Sequence, residues 1–475
     1  MTIYNRVVEP SMREKETDGS FSEYHFAEAP KIVVKPPGPK ASDLLRVCAN
    51  YDPKTANYYF QTAWESAKGA TLKDVDDNVF LDLTAGISVL NIGHCNPAVT
   101  DALCQQAEKI WHPFPRGVTK ARVRLNEAIA AIAPCELRNN VRMMFSVSGG
   151  DAVEAALKLA RYHTKRDTAV CFQGGFHGGG ASGALAVTSN VKLRTGVAPF
   201  MHGTYWVPYA YCYRCLFEKE YPDCGMTCAR FIEKCFKDTH SGLEKPAALV
   251  MEPIQGEGGY IVPPDEFVPE LRRICTENDA LLIVDEIQTG MGRTGRMFAV
   301  EHWNVTPDLM LISKSIAGGF PLAMIVSRQK YLHQIDALVH GGTFHANSLA
   351  CAVAVATVQF ITEHRLPERA QELGDHLMAR LRDLPEECKI VGDVRGKGLM
   401  VGIELVKDRN SKEPLPENMT KMIKQRIFEN GVLVLSCGHW GNVIRLMPAL
   451  TITRELLDKG VAIVLGALKD MERQV

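Results

Sequence analysis

The chain has 475 residues, of which 46% are hydrophobic and 23% charged, and its formal net charge is −1. This composition predicts a globular protein with a large core and two domains. The sequence has no basic tract, so we expect neither a nucleic acid nor an anionic membrane as a partner. We see no signal peptide or membrane-spanning run, and the 14 cysteines are scattered, which favours a reducing cytoplasm.

The N-terminal quarter of the sequence predicts a lead, a hairpin and two helices. Residues 1–42 contain prolines and charges without hydrophobic periodicity, which indicates an extended arm. A disordered tail and an arm that wraps a partner subunit are equally compatible with this pattern. Residues 69–83 place a polar turn between two short apolar strands, typical of a β-hairpin. A glycine-punctuated loop covers residues 83–94, and helical spacing of apolar residues follows at 99–110 and 122–132.

The next predicted unit is a strand at 143–147 that runs through a turn of small residues into a helix. The turn reads Ser148-Gly149-Gly150-Asp151, and the helix continues to about Arg161. Glycines allow a close backbone approach, and the free N–H groups of a helix start attract anions. This pattern is compatible with a phosphate site, but on its own it favours an ordinary capped turn.

A second strand-to-loop unit, at residues 170–180, is followed by an insert that contains four closely spaced cysteines. Their spacing is C-x2-C-x8-C-x3-C, and four thiolates of this kind are compatible with zinc or with an iron–sulfur cluster. The uneven arms and the short central loop favour reduced cysteines that pack the insert. We therefore expect no metal and keep a metal site as the weaker alternative at Cys212, Cys215, Cys224 and Cys228.

Two apolar strands in the middle of the chain each end in a charged residue. The strand at 281–284 ends at Asp285, and the strand at 309–312 leads to Lys314. The carboxyl ends of parallel strands meet at one edge of a sheet, where ligands bind. A buried lysine forms Schiff bases, and a buried carboxylate holds a proton on a pyridine nitrogen, as pyridoxal 5′-phosphate (PLP) requires. A plain ion pair between the two side chains is the alternative.

Strands alternate with helices through the middle of the chain, and this order predicts an α/β domain around a mostly parallel sheet. Helical spacing returns at 347–364, and residues 392–405 read as a turn into a strand. These elements and the last helices predict a smaller α+β domain at the C-terminus. We expect an N-terminal arm and segment at 1–75, a large PLP-binding domain at 76–345 and a small domain at 346–475.

Three long motifs occur in a fixed order. They begin at Glu252 (EPIQGEGG), Asp285 (DEIQTGMGRTG) and Ser313 (SKSIAGGFP). Together they strongly resemble the class III aminotransferases of the fold-type-I PLP family, the 4-aminobutyrate and ornithine type, over most of the chain from about Gly69. Three such motifs in order are far more specific than a single glycine pattern.

The resemblance implies a role for each of several residues. Lys314 would hold the PLP aldehyde and act as base, and Asp285 would protonate the ring nitrogen. Cofactor contacts would come from Ser148, Gly149, Gly150, Phe176, His177, Glu252, Asp285, Gln288, Lys314 and Thr343. Substrate contacts would come from Ile87, Glu257 and Arg445.

The resemblance implies a further role for the pair Glu257 and Arg445 and for Thr343. Glu257 and Arg445 would pair as a switch that opens for a 2-oxo acid, and Thr343 would reach the phosphate of a neighbouring subunit. A homodimer or a dimer of dimers is therefore expected. The implied reaction moves an amino group from an amine or amino acid to a 2-oxo acid, pyruvate or 2-oxoglutarate, with ping-pong kinetics.

Two departures from the aminotransferase pattern keep an alternative open. Gly150 and Asp151 replace the usual Ser, Thr or Ala and the usual Glu. Gly179 stands where 4-aminobutyrate aminotransferases have an arginine for the distal carboxylate. Both departures slightly favour similarity to the PLP amino-acid racemases and epimerases of the same family. Glu257 with Arg445 favours transamination. A binding protein without activity on the same fold is a third reading, which the retained Lys314 opposes.

Overall fold

A seven-stranded sheet forms the centre of the computed structural model, which describes residues 18–53, 58–114, 117–180, 182–333 and 340–473. In spatial order its strands are β4, β10, β9, β8, β7, β5 and β6. Five neighbouring strands run parallel, and β10 is antiparallel to both β9 and β4. The bounds are β4 Val141–Ser146, β5 Ala169–Phe172, β6 Thr204–Val207, β7 Ala248–Met251, β8 Leu281–Asp285, β9 Leu309–Ile312 and β10 Ala323–Arg328.

The central strands are apolar throughout because both faces of the sheet are covered. In β8, Leu281 and Ile283 belong to one buried cluster, which includes residues of a helix at 149–164. Leu282 and Val284 belong to the large core on the opposite face. Successive side chains of a strand point to opposite faces, so a strand covered on both sides needs a continuous apolar run. The expected mostly parallel α/β sheet is confirmed.

Two smaller sheets flank this centre. The first has the order β1, β2, β3, β14, and contains the predicted hairpin, with β2 and β3 antiparallel. The second is antiparallel, with the order β11, β12, β16, β15 and with β13 paired to β12. Their bounds are β1 Trp64–Lys68, β2 Thr71–Asp74, β3 Val79–Asp82, β11 Val391–Lys397, β12 Met400–Asp408, β13 Glu413–Pro414, β14 Val432–Leu433, β15 Leu435–Cys437 and β16 Val443–Leu446.

The helices agree with the predicted periodicity and differ mainly at their ends. Asn96 and Thr119 cap two of them through their side chains, so these helices begin two residues before the apolar pattern does. None of the described helices is both long and apolar enough to cross a bilayer. Their bounds are α1 Pro39–Cys48, α2 Ala85–Ser88, α3 Pro97–Ala107, α4 Lys120–Ile132, α5 Gly149–Thr164, α6 Ser182–Ala186, α7 Val191–Arg194, α8 Thr227–Lys237, α9 Phe267–Glu277, α10 Gln329–Leu332, α11 Ser348–Glu363, α12 Leu366–Leu381, α13 Leu384–Glu387, α14 Glu417–Glu429 and α15 Arg454–Glu472.

The lead at 1–42 differs from the extended arm that its composition indicates. Residues 1–17 lie outside the described part of the chain, but Asp18–Tyr24 forms a 3-10 helix. Phe21 is buried, and the ring of His25 lies 3.0 Å from the carbonyl oxygen of Thr451 and accepts a hydrogen bond from the N–H of Ala70. A few apolar side chains therefore pack this segment against the folded chain, which a count of prolines and charges does not predict.

Candidate active site

Asp285 and Lys314 follow neighbouring parallel strands at one edge of the central sheet. Asp285 ends β8 and is in register with Leu311 of β9, so Lys314 lies just beyond the end of that strand. Lys314 is partly buried and has φ +46°, a conformation that side chains other than glycine rarely adopt. Burial and the charge of Arg445 lower the pKa of Lys314, although nearby carboxylates oppose the shift. This lysine therefore loses its proton more easily than an exposed one.

His177 holds the carboxylate of Asp285. Its Nδ1 lies 2.8 Å from Oδ2 of Asp285, and Oδ1 accepts a hydrogen bond of 3.0 Å from the N–H of Ile287. Burial works against a charged His177, but the hydrogen bond and charge of Asp285, with the charge of Glu252, raise its pKa overall. Both oxygens of the buried Asp285 are thus engaged, and the side chain is fixed in place.

Glu252 joins the two loops that border this pair. Its Oε1 accepts from the N–H of Phe176 and its Oε2 from the N–H of Gly256, both at 2.9 Å. Burial raises the pKa of Glu252 to about 7. Beside it, a Cβ at position 256 would lie 1.9 Å from Oε1 of Gln288, so a larger residue there would displace the Gln288 amide. The Oε1 atom of Gln288 is buried and has no hydrogen-bond partner among the described residues.

The predicted anion site is the first turn of α5. Ser148 caps this helix, and its Oγ accepts from the N–H of Asp151 at 3.3 Å. The first N–H groups of a helix have no acceptor within it, which leaves those of Gly149 and Gly150 for a ligand. A Cβ at position 150 would meet nothing closer than 3.9 Å, so the glycine there is not required by space.

Asp151 is engaged away from any reacting centre. Its Oδ2 accepts from the N–H of Val147 at 2.9 Å and lies 3.1 Å from Nε2 of His345. Together with His340 these side chains form a group whose ligand atoms all lie within 4.8 Å of one another. The departure at Asp151 therefore supports the turn through local contacts.

Glu257 and Arg445 form the expected ion pair. Nη1 of Arg445 lies 2.6 Å from Oε1 of Glu257. Arg445 is almost fully buried on β16, while the side chain of Glu257 is 36% exposed. Burial opposes the charge of Arg445, but Glu257, together with Cys437 and Tyr260, outweighs burial and raises the pKa of Arg445. An arginine that is buried with one exposed partner suits the exchange of that partner for a ligand carboxylate.

Ile87 lies in a left-handed turn, α2, that contacts the lysine segment. Ala85, Gly86, Ile87 and Ser88 all have positive φ, and Ile87 has φ +67° and ψ +50°. Two hydrogen bonds connect the turn to other segments. Oγ of Ser315 donates to the carbonyl oxygen of Ser88 at 2.6 Å. Oγ of Ser88 donates to the carbonyl oxygen of Gln288 at 3.3 Å. A β-branched residue in this conformation is strained, and such strain clusters at functional sites.

The remaining predicted residues lie apart from this cluster. Thr343 is exposed on the loop before α11, and no hydrogen bond among the described residues joins it to Lys314 or Asp285. The thiols of Cys212, Cys215, Cys224 and Cys228 are free and line a separate small cavity.

Comparison with known proteins decides the family. The family model described as Aminotransferase class-III matches residues 52–468. The chain belongs to the class III aminotransferases.

Relatives of this class III chain include both racemases and aminotransferases. A leucine/methionine racemase of Thermococcus litoralis is 38% identical over 409 residues, 86% of this chain and 90% of the relative. A 4-aminobutyrate aminotransferase of Mycobacterium leprae is 36% identical over 443 residues, 93% and 98% of the two chains. The crystal structure of a PLP-bound amine transaminase from an uncultivated Pseudomonas species is similar, with a TM-score of 0.81 and 29% identity. The match covers 89% of this chain and 97% of the transaminase.

Class III aminotransferases depend on PLP, and the residues of this chain fit that cofactor. The buried Oε1 of Gln288 has no hydrogen-bond partner within the described part of the chain. The glycine turn at 149–150 offers free N–H groups, and Asp285 is fixed by His177. The resemblance, the fold-type-I architecture and the cofactor are thereby confirmed.

Several hydrogen bonds around the site of this class III aminotransferase were not predicted from the sequence. Ser88, Ser315 and His345 act through partners that are distant along the chain. No local pattern distinguishes them from ordinary polar residues. The short spacing of Ser313, Lys314 and Ser315 was the one available signal, since a serine next to the lysine segment is well placed to anchor it.

Proposed function

We propose that this aminotransferase moves an amino group from an amine or amino acid to pyruvate or 2-oxoglutarate. The single observation that carries the proposal is the 2.6 Å pair between Glu257 and the buried Arg445. An enzyme with ping-pong kinetics binds two substrates in turn at one site. An arginine with an exchangeable carboxylate partner serves both substrates. Glu257 releases Arg445 only when a substrate brings an α-carboxylate of its own.

The proposed roles of the cofactor-binding residues follow from their contacts. PLP supplies an electron sink for the charge that develops on the substrate carbon. The N–H groups of Gly149 and Gly150 and the hydroxyl of Ser148 would hold its phosphate. Gln288 would hydrogen-bond near the phenolic oxygen, and Phe176 would stack on the ring. His177 supports Asp285, which would hold a proton on the ring nitrogen.

Lys314 is proposed as the catalytic base. Burial and Arg445 lower its pKa, so its amine is available to take a proton from the amine-bearing carbon of the substrate. Its unusual φ of +46° fixes where the side chain begins. The left-handed turn at Ala85–Ser88 packs Ile87 beside this segment, and we propose that Ile87 borders the substrate entrance.

Racemisation is the second candidate. Gly179 is exposed, and the nearest atom to a Cβ there would be Cδ1 of Leu193 at 3.5 Å, so the position supplies no charge for a distal carboxylate. A relative from Thermococcus litoralis is a leucine/methionine racemase. In that reaction the proton returns to the same carbon from the other face, and no 2-oxo acid is consumed.

One experiment separates the two candidates. The holoenzyme is incubated with single L-amino acids, with and without 2-oxoglutarate or pyruvate, and the products are resolved by chiral chromatography. Transamination predicts a new amino acid that forms only when the 2-oxo acid is present. Catalytic formation of the D-isomer without any 2-oxo acid would overturn the proposed function in favour of a racemase.

We also propose a homodimer, or a dimer of such dimers, in which Thr343 reaches the partner's phosphate site. Thr343 stands next to Phe344, which is 65% exposed and lies 5.6 Å, between ring centroids, from His112. Trp111 and Phe114 near by are also exposed, and an aromatic patch of this kind marks an interaction surface. Light scattering would give the mass, and a Phe344→Asp variant would shift it to the monomer.

The organisation proposed for the chain is an N-terminal segment at 1–75, a large PLP-binding domain at 76–345 and a small domain at 346–475. One minor sheet supports the small domain, because it is built wholly from residues after 390. The other joins β1, β2 and β3 to β14 and therefore links the proposed units rather than separating them. The described cysteines are free thiols, which supports a reducing cytoplasm.

A further inference from the structure

We propose that Asp151, His340 and His345 bind one Zn²⁺ ion beside the phosphate turn. The three side chains come from two segments that are far apart in the sequence. Asp151 lies in the first turn of α5, and the two histidines lie on the loop that precedes α11. Their candidate ligand atoms, one from each residue, all lie within 4.8 Å of one another. Two imidazoles and one carboxylate form a common set of protein ligands for zinc.

His340 presents a ring nitrogen that the described part of the chain does not use. The backbone of Phe145 forms a hydrogen bond with this ring and raises its pKa, so the ring donates the bond. Nε2 of His340 is buried and has no hydrogen-bond partner among the described residues, so the donor is Nδ1. Metal-binding histidines almost always donate their second nitrogen in this way. A buried nitrogen without a partner is costly, and a metal ion at Nε2 removes that cost.

The spacing of the other two ligands is close to that around a bound ion. Nε2 of His345 lies 3.1 Å from Oδ2 of Asp151. Zinc bonds to nitrogen and oxygen are about 2.0–2.2 Å long, so two ligands of one tetrahedral ion stand roughly 3.4 Å apart. The rings of His340 and His345 are 5.0 Å apart between centroids. Small rotations of the side chains are therefore enough to close the three ligands around an ion.

The surroundings prepare both kinds of ligand. Burial, then the charge of His345, lower the pKa of His340, although Asp151 opposes the shift. Zinc binds the neutral imidazole, which is the form that this shift favours. Oδ2 of Asp151 accepts a hydrogen bond from the N–H of Val147 at 2.9 Å. A carboxylate that is oriented by such a contact is typical of metal sites.

An open pocket of about 270 Å³ adjoins both histidines. A cavity needs roughly 10–15 Å³ to hold a water molecule, so the pocket has room for water as a fourth ligand. Arg122 also lines the pocket, but its Nη1 donates to the carbonyl of Gly117 at 3.3 Å, and its guanidinium lies 5.2 Å from the ring centroid of Phe145. The cation is thus engaged outside the group of three ligands.

The ion also changes the charge at the phosphate turn, and this part of the inference rests on the phosphate site proposed above. The carboxylate of Asp151 lies in the first turn of α5, whose N–H groups are proposed to hold the PLP phosphate. Two anions at one helix end repel each other. Because Zn²⁺ neutralises Asp151, PLP should bind several-fold more tightly to the zinc-loaded protein.

Zinc uptake tests the site without any assay of activity. The full-length holoenzyme is treated with a chelator and dialysed against ZnCl₂ and then against metal-free buffer, and its zinc is measured by mass spectrometry. We expect about one zinc per chain in the wild type and in His202→Ala, an exposed histidine outside the group. Asp151→Asn and His345→Gln should hold none. A wild-type chain without zinc, or zinc that remains in both variants, would overturn the proposal.

Cobalt spectroscopy of the wild type covers a variant that fails to fold. Difference spectra against the cobalt-free holoenzyme should show the visible bands of a four-coordinate Co²⁺ ion with nitrogen and oxygen ligands. A sulfur-to-cobalt band would place the ion at cysteines and refute the site. Circular dichroism of Asp151→Asn and His345→Gln would show that each variant keeps the wild-type fold.

Titration of the apoenzyme with PLP, with and without zinc, tests the effect on the cofactor. Zinc should tighten PLP binding several-fold in the wild type and leave His345→Gln unchanged. Asp151→Asn lacks the repelling charge and should bind PLP more tightly even without zinc. An equal PLP affinity in zinc-loaded and zinc-free wild type would refute the charge effect. Failure of the proposed transamination would instead appear as formation of the D-isomer, whatever the zinc content.

Discussion

Nδ1 of His177 lies 2.8 Å from Oδ2 of Asp285, and both side chains are buried. The carboxylate cannot donate in this contact, so the imidazole does, and Nε2 of His177 has no hydrogen-bond partner among the described residues. An acid that is fixed by a histidine can hold a proton on a ligand nitrogen without turning away from it. We therefore expect substitutions at Asp285 to lower the catalytic rate.

Asp285→Asn should lower kcat by roughly 10²–10⁴-fold, the range of a well-placed acid–base group. The amide keeps the size of the side chain but has no charge to hold a proton on the ring nitrogen. Steady-state kinetics of the holoenzyme would measure the loss, with the exposed Asp279→Asn as a matched control. An Asp285→Asn enzyme within a few-fold of wild type would mean that another group protonates the ring.

Lys314→Ala should abolish turnover and leave the fold intact. No other group described here combines a lowered pKa with a position at the end of β9. The cofactor absorption band that depends on a lysine linkage should vanish, while circular dichroism should not change. Lys330→Ala, at an exposed lysine of α10, is the control and should keep both the band and the rate. A retained rate in Lys314→Ala would refute its role as base.

Arg445→Lys should weaken the 2-oxo acid half-reaction selectively. Lysine keeps the charge but lacks the planar fork that pairs with a carboxylate, and a hydrogen bond to a charged group is worth about 1.5–3 kcal/mol. The KM for the 2-oxo acid should therefore rise by roughly 10–150-fold. Single-turnover kinetics would measure the two halves separately, with the surface Arg426→Lys as control. Equal losses in both halves would contradict the switch.

The stability of the apoprotein should fall as pH rises from about 4.5 to about 7, in part because of Glu286. Burial raises the pKa of this carboxyl from 4.5 to about 7. Between these values the unfolded chain has lost the proton and the folded chain keeps it, so folding becomes less favourable as pH rises. The effect is about 3 kcal/mol and is constant above pH 7.

Urea unfolding at pH 4.5, 6 and 8 would measure this dependence. Glu286→Gln should flatten the change in midpoint between pH 4.5 and 7, although its absolute stability should be lower, because Glu286 accepts from Thr289 and from the N–H of Val300. Glu108→Gln, an exposed glutamate, should keep the wild-type slope. An unaltered slope in Glu286→Gln would show that this carboxyl ionises normally in the fold.

Gly150→Ser and Gly178→Ala form a contrasting pair at the phosphate turn. A serine at 150 has room, with 3.9 Å to its nearest neighbour, and adds a hydroxyl beside the free N–H groups, so PLP should bind several-fold more tightly. Position 178 has φ +130°, and a Cβ there would lie 3.1 Å from Cα of Gly150, so Gly178→Ala should weaken PLP binding and lower the melting temperature. Spectroscopic titration with PLP would measure both. A weaker PLP affinity in Gly150→Ser would place the phosphate elsewhere.

Much of this site could be predicted from sequence because its chemistry lies at strand ends. The apolar runs before Asp285 and Lys314 had to be buried on both faces, and parallel strands bring their ends together. The turn at Ser148 was recognised only with the help of the three later motifs, since small residues between a strand and a helix also form ordinary capped turns. In each case the local pattern and the tertiary position agree.

Contacts between distant segments could not be predicted in this way. Ile87 adopts a left-handed conformation that its own propensity opposes, and hydrogen bonds from distant Ser315 and to distant Gln288 help to hold it. The pairing of Asp151 with His345 joins residues 194 positions apart, and Tyr211 meets Glu404 of β12. Periodicity carries no information on such partners.

The parallel pairing of β14 with β3 has a consequence for synthesis of the protein. Leu81 pairs with Val432, so the short sheet near the N-terminus lacks its last strand until the ribosome has made almost the entire chain. During that time β3 has an open edge, which invites pairing with other chains. Until then Lys31, which bridges to Val79, is the partner that the described residues offer at this edge of β3, and closure of this sheet is expected to be a late event in folding.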